Sequence, residues 1–583
     1  MAFFLMIQPS DGNADSRTHA CADALNWQAS PSFTLLDVNF GAAEAFLTTW
    51  AQWTADPQRP ERLHYVAITP TPATAQQILD QAANRDLALE LTQEWWGLLP
   101  GIHRLRLAGG RVSLTLAVGD LHPMLKSLVF QADAIYLNDF GRVSPGALEA
   151  EQGTLEALKA LARHCRVGTL LFGAGQSATV QSHLTSLGYH VDGDKATFSP
   201  PWQLRRQAAN AMHPSRAIVI GAGLSGAAVA RQLAEHGWWV EVLDRDVHPA
   251  AGASALPVGL MATHVTPDDA PVSRASRAGT RATLNALKTL CFQGQDWMRT
   301  GALEQGRDKV KNSWPAHWDE AEASAWFHRD ADGLHHKNAT WIKPGALVRA
   351  WLDHPHIQFT GGVDVQRLHR QGDEWTALGA NGQTLAAAPL MVVCTAYGIS
   401  QLLPRTPGQT SELPLDLVAG QVAMAAQKTD ISMPLNGNGH LVPHVHSESG
   451  PFWLSGSTYE RMPLSELDEA KGLEANRVRL ERLLAQWPQA SASIQAQFAQ
   501  GEVKRWIGER CTSIDRLPLV GEWLPGLHLS AAQGSRGLCF AALCAELLVA
   551  QLAAEPLPLD RRLADGFAAS RFHKAASISP ESL

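Results

Sequence analysis

Residues 216–246 read RAIVIGAGLSGAAVARQLAEHGWWVEVLDRD. No other stretch limits the fold of this chain as tightly. A strand is expected at Ala217–Ile220, then Gly221-Ala-Gly223-Leu-Ser-Gly226, an Ala-rich helix, and a strand at Trp239–Leu243 ending on Asp244. Each part has a job in a dinucleotide site. Gly221 permits the tight turn, Gly223 lets the backbone approach a pyrophosphate, and Gly226 lets helix and strand pack closely. The helix start offers free N–H groups and a positive dipole end to phosphates. Asp244, 18 residues after Gly226, can accept both ribose hydroxyls and disfavours a 2′-phosphate, which argues against NADP. Glycine-rich turns are common by themselves; the ordered strand, turn, helix, strand and acid carry the assignment.

Two further segments favour FAD over NAD. HPAAGASALPVGL (248–260) follows the acid and is rich in small residues that could wrap the pyrophosphate from its other side. Near the C-terminus, IGERCTSIDRLPLVGEW precedes a strand that leads into Gly534-Ser-Arg-Gly537 and a long apolar helix. A second glycine-rich helix start can hold the flavin ring, its dipole stabilising negative charge on the reduced ring. The plain alternative is a strand, turn and helix that merely close the domain. Candidate FAD contacts are Gly221, Gly223, Leu224, Ser225, Gly226, Asp244, Ala253, Ser254, Gly534, Ser535, Arg536, Gly537 and Leu538, together with Arg245 and Val365.

These stretches, with WIKPGALVRA, AGQV and GSTYER, carry a resemblance. From Arg216 to about Phe572 the sequence resembles the glycine-oxidase/D-amino-acid-oxidase group of flavoenzymes. Within that group it is most similar to the oxidase half of the MnmC family of bifunctional tRNA wobble-uridine modification proteins. The resemblance implies oxidation of the C–N bond in the 5-substituent of 5-carboxymethylaminomethyl(-2-thio)uridine in tRNA. It also implies imine hydrolysis to 5-aminomethyluridine and reoxidation of the flavin by oxygen. Hydride abstraction next to an amine needs mainly a neutral amine held over the flavin face, so positioning supplies most of the catalysis. No acid–base pair is expected and the catalytic residues stay unknown. A carboxylate anchor is expected instead. Arg510 is the first candidate, because a guanidinium can grip a carboxylate with two parallel bonds; Arg536 and Tyr459 follow. A structural salt bridge or loop hydrogen bond is the competing role for each. The alternative activity is that of a small-molecule amine or amino-acid oxidase with an inert N-terminal domain.

Residues 31 to 200 resemble the methyltransferase half of the same family. The matching stretches are FTLLDVNFGAAEAFL, LHYVAITP, LRLAGGRVSLTLAVGD and DAIYLNDF. In the family the first carries an acid, a GxGxG-type loop and a helix, and the second ends in an acid. Here Asn39, Gly41 and Ala43 occupy the loop, Glu44 follows at once, Thr69 replaces the strand-end acid, and Leu137-Asn138-Asp139-Phe140 carries Asn138 where the family has an acid. A missing glycine adds a Cβ where ligand contact is needed. These departures count against methyl transfer and for a scaffold that packs on the oxidase and docks tRNA. The rival reading is weak S-adenosylmethionine binding through Asp37, Gly41 and Asp120.

The fold class that follows is α/β: an N-terminal Rossmann-like methyltransferase-type domain and a C-terminal FAD-binding Rossmann domain with an inserted antiparallel substrate sheet. At 583 residues the protein is too long for one domain. The expected divisions are 1–200, a linker at 201–215 marked by Pro200, Pro201, Pro214 and Arg205–Arg206, and 216–583. In the last, about 216–295, 336–400 and 501–575 bind FAD, and about 296–335 and 401–500 bind substrate. Seven cysteines without metal spacing fit a reducing, cytoplasmic setting. MAFFLMIQ lacks a basic lead and a cleavage site, and no apolar run reaches the roughly 18 residues of a membrane span. With net charge −8, a nucleic acid must meet a local patch; Arg274, Arg277 and Arg281, on one helical stripe, are the candidate for phosphate contact. The histidines, His335, His336, His440, His444 and His446 among them, match no metal site. The expected partners are tRNA and molecular oxygen, with no membrane, for a monomer.

Overall fold

The computed structural model describes residues 31–137, 147–204, 211–305, 314–403 and 413–572, with Leu25, Trp27 and Gln28. The apolar opening segment, Asn138 to Phe140, and Arg205–Arg206 lie outside the described residues. The protein divides into two compact units, Met1–Ala209 and Asn210–Leu583.

The first unit holds an eight-stranded sheet. Its strands are β1 (Ser32–Asp37), β2 (Arg62–Thr69), β3 (Gly101–Leu107), β4 (Val112–Val118), β5 (Ala132–Tyr136), β6 (Cys165–Phe172), β7 (Tyr189–Asp192) and β8 (Lys195–Phe198). The order is β3-β4-β2-β1-β5-β6-β8-β7. The central five are parallel, and antiparallel pairings add β3 at one edge and β8-β7 at the other. The strands read as almost unbroken apolar runs because both faces are covered: Phe46, Trp50 and Tyr65 fill one core, and Leu36, Ile68 and Leu158 the other. The backbone goes from β1 outward to β2, and later returns to the other side of β1 as β5. The carboxyl end of β1 is therefore a switch point, where ligands of such sheets bind. The stretch 71–86, which reads as helical in the sequence, holds one helix, Ala75–Gln81, and the start of a second, Arg85–Glu94. Thr74 and Gln77 close a capping box on Ala75–Gln81, and the Asn84 side chain accepts from Leu87 N at 3.2 Å to start Arg85–Glu94. An asparagine that caps competes with continuing the first helix.

In the second unit a six-stranded sheet runs in the order Ile357–Gly361, Trp239–Asp244, Arg216–Ile220, Leu390–Val393, Leu527–Ala531 and Leu519–Leu524. All neighbours are parallel except the last pair. Helix Gly537–Leu552 packs against helices Leu224–Glu235 and Pro271–Leu290. It approaches the latter so closely that a Cβ on Gly279 would sit 2.2 Å from Cys539 O. With its leading turn, Gly534–Leu552 is the one segment of the described residues long and apolar enough to cross a membrane, and it is mostly buried inside this unit.

The second sheet of this unit has eight strands, mostly antiparallel, drawn from 302–336, 415–456 and 504–513. Strand Lys504–Ser513, which the sequence groups with the cofactor segments, pairs along ten residues with Leu415–Ala426 in this sheet. Helices Glu469–Leu483 and Pro488–Ala499 cover one face, where Ala423, Leu441 and Trp453 meet Leu480 and Ile494. On the opposite face Val422, Val442 and Leu454 meet Val258 and Trp341 of the cofactor side.

The arginine stripe is corrected by the structure. Arg277 and Arg281 are buried; Arg277 holds Asp269 with bonds of 2.8 and 2.9 Å and stacks on Trp318, and Arg274 pairs with Asp560 at 2.8 Å. A helix face that buries its arginines in ion pairs is not a phosphate-docking stripe.

Candidate flavin and substrate site

The first turn forms as its glycines require. Gly221 has φ +104, and a Cβ there would lie 2.7 Å from Cys394 O. A Cβ on Gly226 would lie 1.8 Å from Gly221 O, so only glycine lets the helix close on the turn. Gly223 differs: its φ of −82 suits any residue, and a Cβ would meet only Ser254 Oγ at 3.2 Å. It is the helix N-cap and has no side chain to bond the first amides. The amides of the first turn therefore have no N-cap side chain to bond, and Leu224 N donates instead to Ser254 Oγ at 3.0 Å. A helix start of this kind fits a diphosphate.

Asp244 ends its strand beside this helix start. Its two carboxylate oxygens accept from Ala222 N at 2.6 Å and Asp246 N at 2.9 Å, which fixes the carboxylate and leaves each oxygen a further lone pair. Ser225 turns inward, donating to Ser530 O at 2.7 Å and accepting from Gln533 Nε2 at 3.1 Å. This ties the first turn to the second. In the second, Gly534 has φ +58, the turn Gly534–Arg536 runs into helix Gly537–Leu552, and Leu538 packs against Gly259. Arg536 is the N-cap of that helix, and its guanidinium does not cap it. Ala253 and Ser535 are exposed, and the Arg245 guanidinium points to solvent. Val365 lies in the core beside Leu243. Residues from four separated segments thus come together, with neither N-cap residue's side chain bonding the first amides and only Leu224 N taken by Ser254, and they fit a dinucleotide.

Arg510 stands on strand Lys504–Ser513, which contacts the turns Ala253–Ala255, Ala396–Gly398 and Gly534–Arg536. Two residues on, Thr512 bridges to Gln533. The guanidinium lies over Gly420, where a Cβ would come within 2.5 Å of Nη1. It donates to Ser457 Oγ at 2.7 Å and Thr458 O at 3.5 Å, and it lies 4.7 Å from the centroid of the Tyr459 ring. Among the described residues no carboxylate pairs with it, and burial pushes its pKa down from the ordinary value. A mostly buried cation without an anion is costly unless a ligand supplies one. Tyr459 and Arg510 are brought together. Arg536 stands apart on the flavin turn, near His264, whose pKa is lowered first by burial and then by Arg536.

Sequence reasoning missed Gly420, Ser457 and His440 around Arg510. His440 lies opposite Gly456 across two strands, directly before Ser457. Burial, then Arg510, pushes its pKa down to about 4, and its Nε2 is buried without a hydrogen-bond partner. No linear pattern marks it, because 440, 457 and 510 meet only through strand register.

With this geometry in hand, the kinship is plain. The family model for FAD dependent oxidoreductases matches residues 216–551. The protein named tRNA 5-methylaminomethyl-2-thiouridine biosynthesis bifunctional protein MnmC from Polaromonas sp. (strain JS666 / ATCC BAA-500) is 39% identical, over 94% of this chain and 92% of its own length. The chain belongs to the MnmC family. A further MnmC, from Acidovorax sp. (strain JS42), is 38% identical over 94% of this chain and 92% of its own. Glycine oxidase from Geobacillus kaustophilus is 17% identical, with a TM-score of 0.44, over 58% of this chain and 94% of that one. A model for S-adenosyl-L-methionine-dependent methyltransferases matches residues 83–199, beginning after the loop that follows β1.

In that loop of the N-terminal unit, Asp37 is fully buried and accepts from Tyr65 Oη at 2.8 Å and Asn39 N at 3.0 Å. Burial, then Asp37, pushes the Tyr65 phenol pKa well up. Gly41 has φ +55, and Ala43 has a left-handed φ of 68. Thr69 turns its hydroxyl to Thr71 O at 2.8 Å, and Asp120 stands at the N-cap of the helix after β4 without its carboxylate bonding the first amides.

Proposed function

We propose that the C-terminal unit binds FAD and oxidises the C–N bond of a 5-carboxymethylaminomethyl(-2-thio) group on the wobble uridine of tRNA. Water then cleaves the imine to 5-aminomethyluridine and glyoxylate. The observation that carries this reading is Arg510: a mostly buried guanidinium with no carboxylate partner among the described residues, on the strand that bridges the second glycine turn. It fits the carboxylate of the carboxymethyl group, taken by two parallel hydrogen bonds. The names of the relatives, which state 5-methylaminomethyl-2-thiouridine biosynthesis on tRNA, support tRNA as the bearer of that group.

FAD, when bound, supplies the two-electron acceptor, with molecular oxygen taking the electrons afterwards. The protein's own residues do the rest. The amides around Gly223–Ala227 and the fixed carboxylate of Asp244 hold the dinucleotide, and the Gly534–Leu538 segment meets the ring end. Arg510, Ser457 and Tyr459 orient the substrate, and burial shields the reacting carbon from water.

For the N-terminal unit we propose a scaffold that has lost methyl transfer. Thr69 stands where the family has a strand-end acid, with its hydroxyl already engaged, and Asp37 is buried against Tyr65. The test is incubation of the purified protein with tRNA from cells lacking the oxidase, followed by nucleoside analysis. Conversion to 5-aminomethyluridine that stops there is the expected outcome. Turnover of free glycine or N-methylglycine alone would instead favour a small-molecule oxidase, and a 5-methylaminomethyl product would restore the methyltransferase.

A further inference from the structure

The carboxylate anchor faces a second polar atom that no described residue satisfies. His440 and Arg510 share one face of the eight-stranded sheet. His440 pairs with Gly456, Gly456 with Val422, and Val422 with Trp506, and directly opposite residues of an antiparallel sheet point to one side. Arg510, four residues beyond Trp506 on its strand, points to that side too. It is the face that Val422 and Val442 turn toward the cofactor side, away from the two covering helices. Glycine at 420 and 456 keeps its floor low, and Ser457, next to Gly456, receives the Arg510 guanidinium at 2.7 Å.

Nε2 of His440 has no hydrogen-bond partner, and the Gly456 backbone, directly opposite in the strand register, favours a proton on the ring. We assign that hydrogen to Nδ1, which leaves Nε2 of the neutral ring as a bare acceptor. The site therefore offers donors at Arg510 and one acceptor at His440, on the same face of the sheet. A carboxymethylamine has the complementary pair: a carboxylate and, one carbon away, an amine N–H.

We propose that His440 Nε2 accepts a hydrogen bond from the substrate amine N–H, making His440 a specificity residue that selects a carboxylate bearing an N–H donor on the neighbouring carbon. This rests on the reading of Arg510 as the carboxylate anchor. His440 serves as an acceptor and not as a base, since burial beside Arg510 keeps it neutral and weakly basic.

The test uses the full-length FAD-loaded protein and two inert probes of the same shape. Pyrrole-2-carboxylate carries a carboxylate and an adjacent N–H; 2-furoate has a ring oxygen in its place. Dissociation constants come from the change in flavin absorbance. The parent protein is expected to prefer the pyrrole by about tenfold or more, because an unpaired lone pair facing the furan oxygen is penalised. His440→Phe should bring the ratio to about one, by weakening the pyrrole and relieving the penalty on the furoate, and His440→Gln, which keeps an acceptor, should restore part of it. A merely structural role would weaken both probes together. No preference in the parent, or a ratio unchanged in His440→Phe, overturns the proposal. Arg510→Gln separates the two readings: it should weaken both probes, and if it weakens neither, the carboxylate anchor falls while the pyrrole-to-furoate ratio still judges His440.

Discussion

Replacing Gly223 by alanine separates the cradle from the fold. The backbone there has φ −82 and ψ −172, which alanine adopts freely, and the added methyl meets only Ser254 Oγ at 3.2 Å. That neighbour is a rotatable hydroxyl, so the contact costs little, and the lower conformational entropy of alanine in the unfolded state offsets part of it. The flavin-free fold should change by no more than about 1 kcal/mol. The methyl nevertheless stands at the mouth of the helix, where the diphosphate must approach the amides. Each charge-assisted hydrogen bond lost there is worth about 1.5–3 kcal/mol, so FAD affinity should fall at least about tenfold per bond. Gly226→Ala is the contrast. Its Cβ would lie 1.8 Å from Gly221 O, and the helix must move away from the strand, at a cost of about 3 kcal/mol or more. Urea unfolding of the flavin-free variants and titration with FAD read the two effects. Gly223→Ala should unfold with the parent and bind FAD poorly; Gly226→Ala should lose both. Undiminished FAD affinity in Gly223→Ala would refute the cradle.

Other expectations concern the anchor, the N-terminal loop and the C-terminal clamp. Arg510→Gln should raise KM for modified tRNA at least about tenfold, the worth of one charge-assisted bond, with FAD content unchanged; steady-state kinetics with absorbance of the bound flavin checks this. Calorimetry with S-adenosylmethionine should show no binding at micromolar concentration, and micromolar affinity would contradict the reading of the Asp37–Glu44 loop. Asp515 accepts Arg571 Nε at 2.8 Å and Nη2 at 3.0 Å, pinning the turn Ala569–Phe572. Burial raises the Asp515 pKa, but the bonds from Arg571, Ser513 and Leu517 N outweigh it and hold the carboxyl below its ordinary range. The folded-state pKa lies below the unfolded one, so the stabilisation is full above about pH 4 and is lost as pH falls through the folded value. Asp515→Asn should therefore destabilise at neutral pH and flatten the acid limb of a pH–stability curve.

What could be read in advance was local. Gly221, Gly223, Gly226 and Asp244 meet within one strand, turn and helix, so spacing alone predicts their contacts. Arg510 was also within reach, since its strand lies shortly before the second glycine turn in the sequence, although Arg505 shares that strand. The arginines at 274, 277 and 281 misled for the opposite reason. Periodicity sets the face of a helix, but Asp560, 286 residues from Arg274, and Trp318 decide whether that face is wet. The break at Asn84 was a matter of capping, which a window of helix propensity averages away. His440 could not be found from sequence, because strand pairing across three segments brings it to Ser457 and Arg510.

The most direct measurement is anaerobic absorbance of the purified protein as tRNA from oxidase-deficient cells is added. The account predicts a yellow protein whose flavin band bleaches in proportion to the wobble carboxymethylaminomethyl groups supplied, and returns when air is admitted. A protein that is colourless and refuses added FAD, or a flavin band that such tRNA leaves untouched, would contradict it.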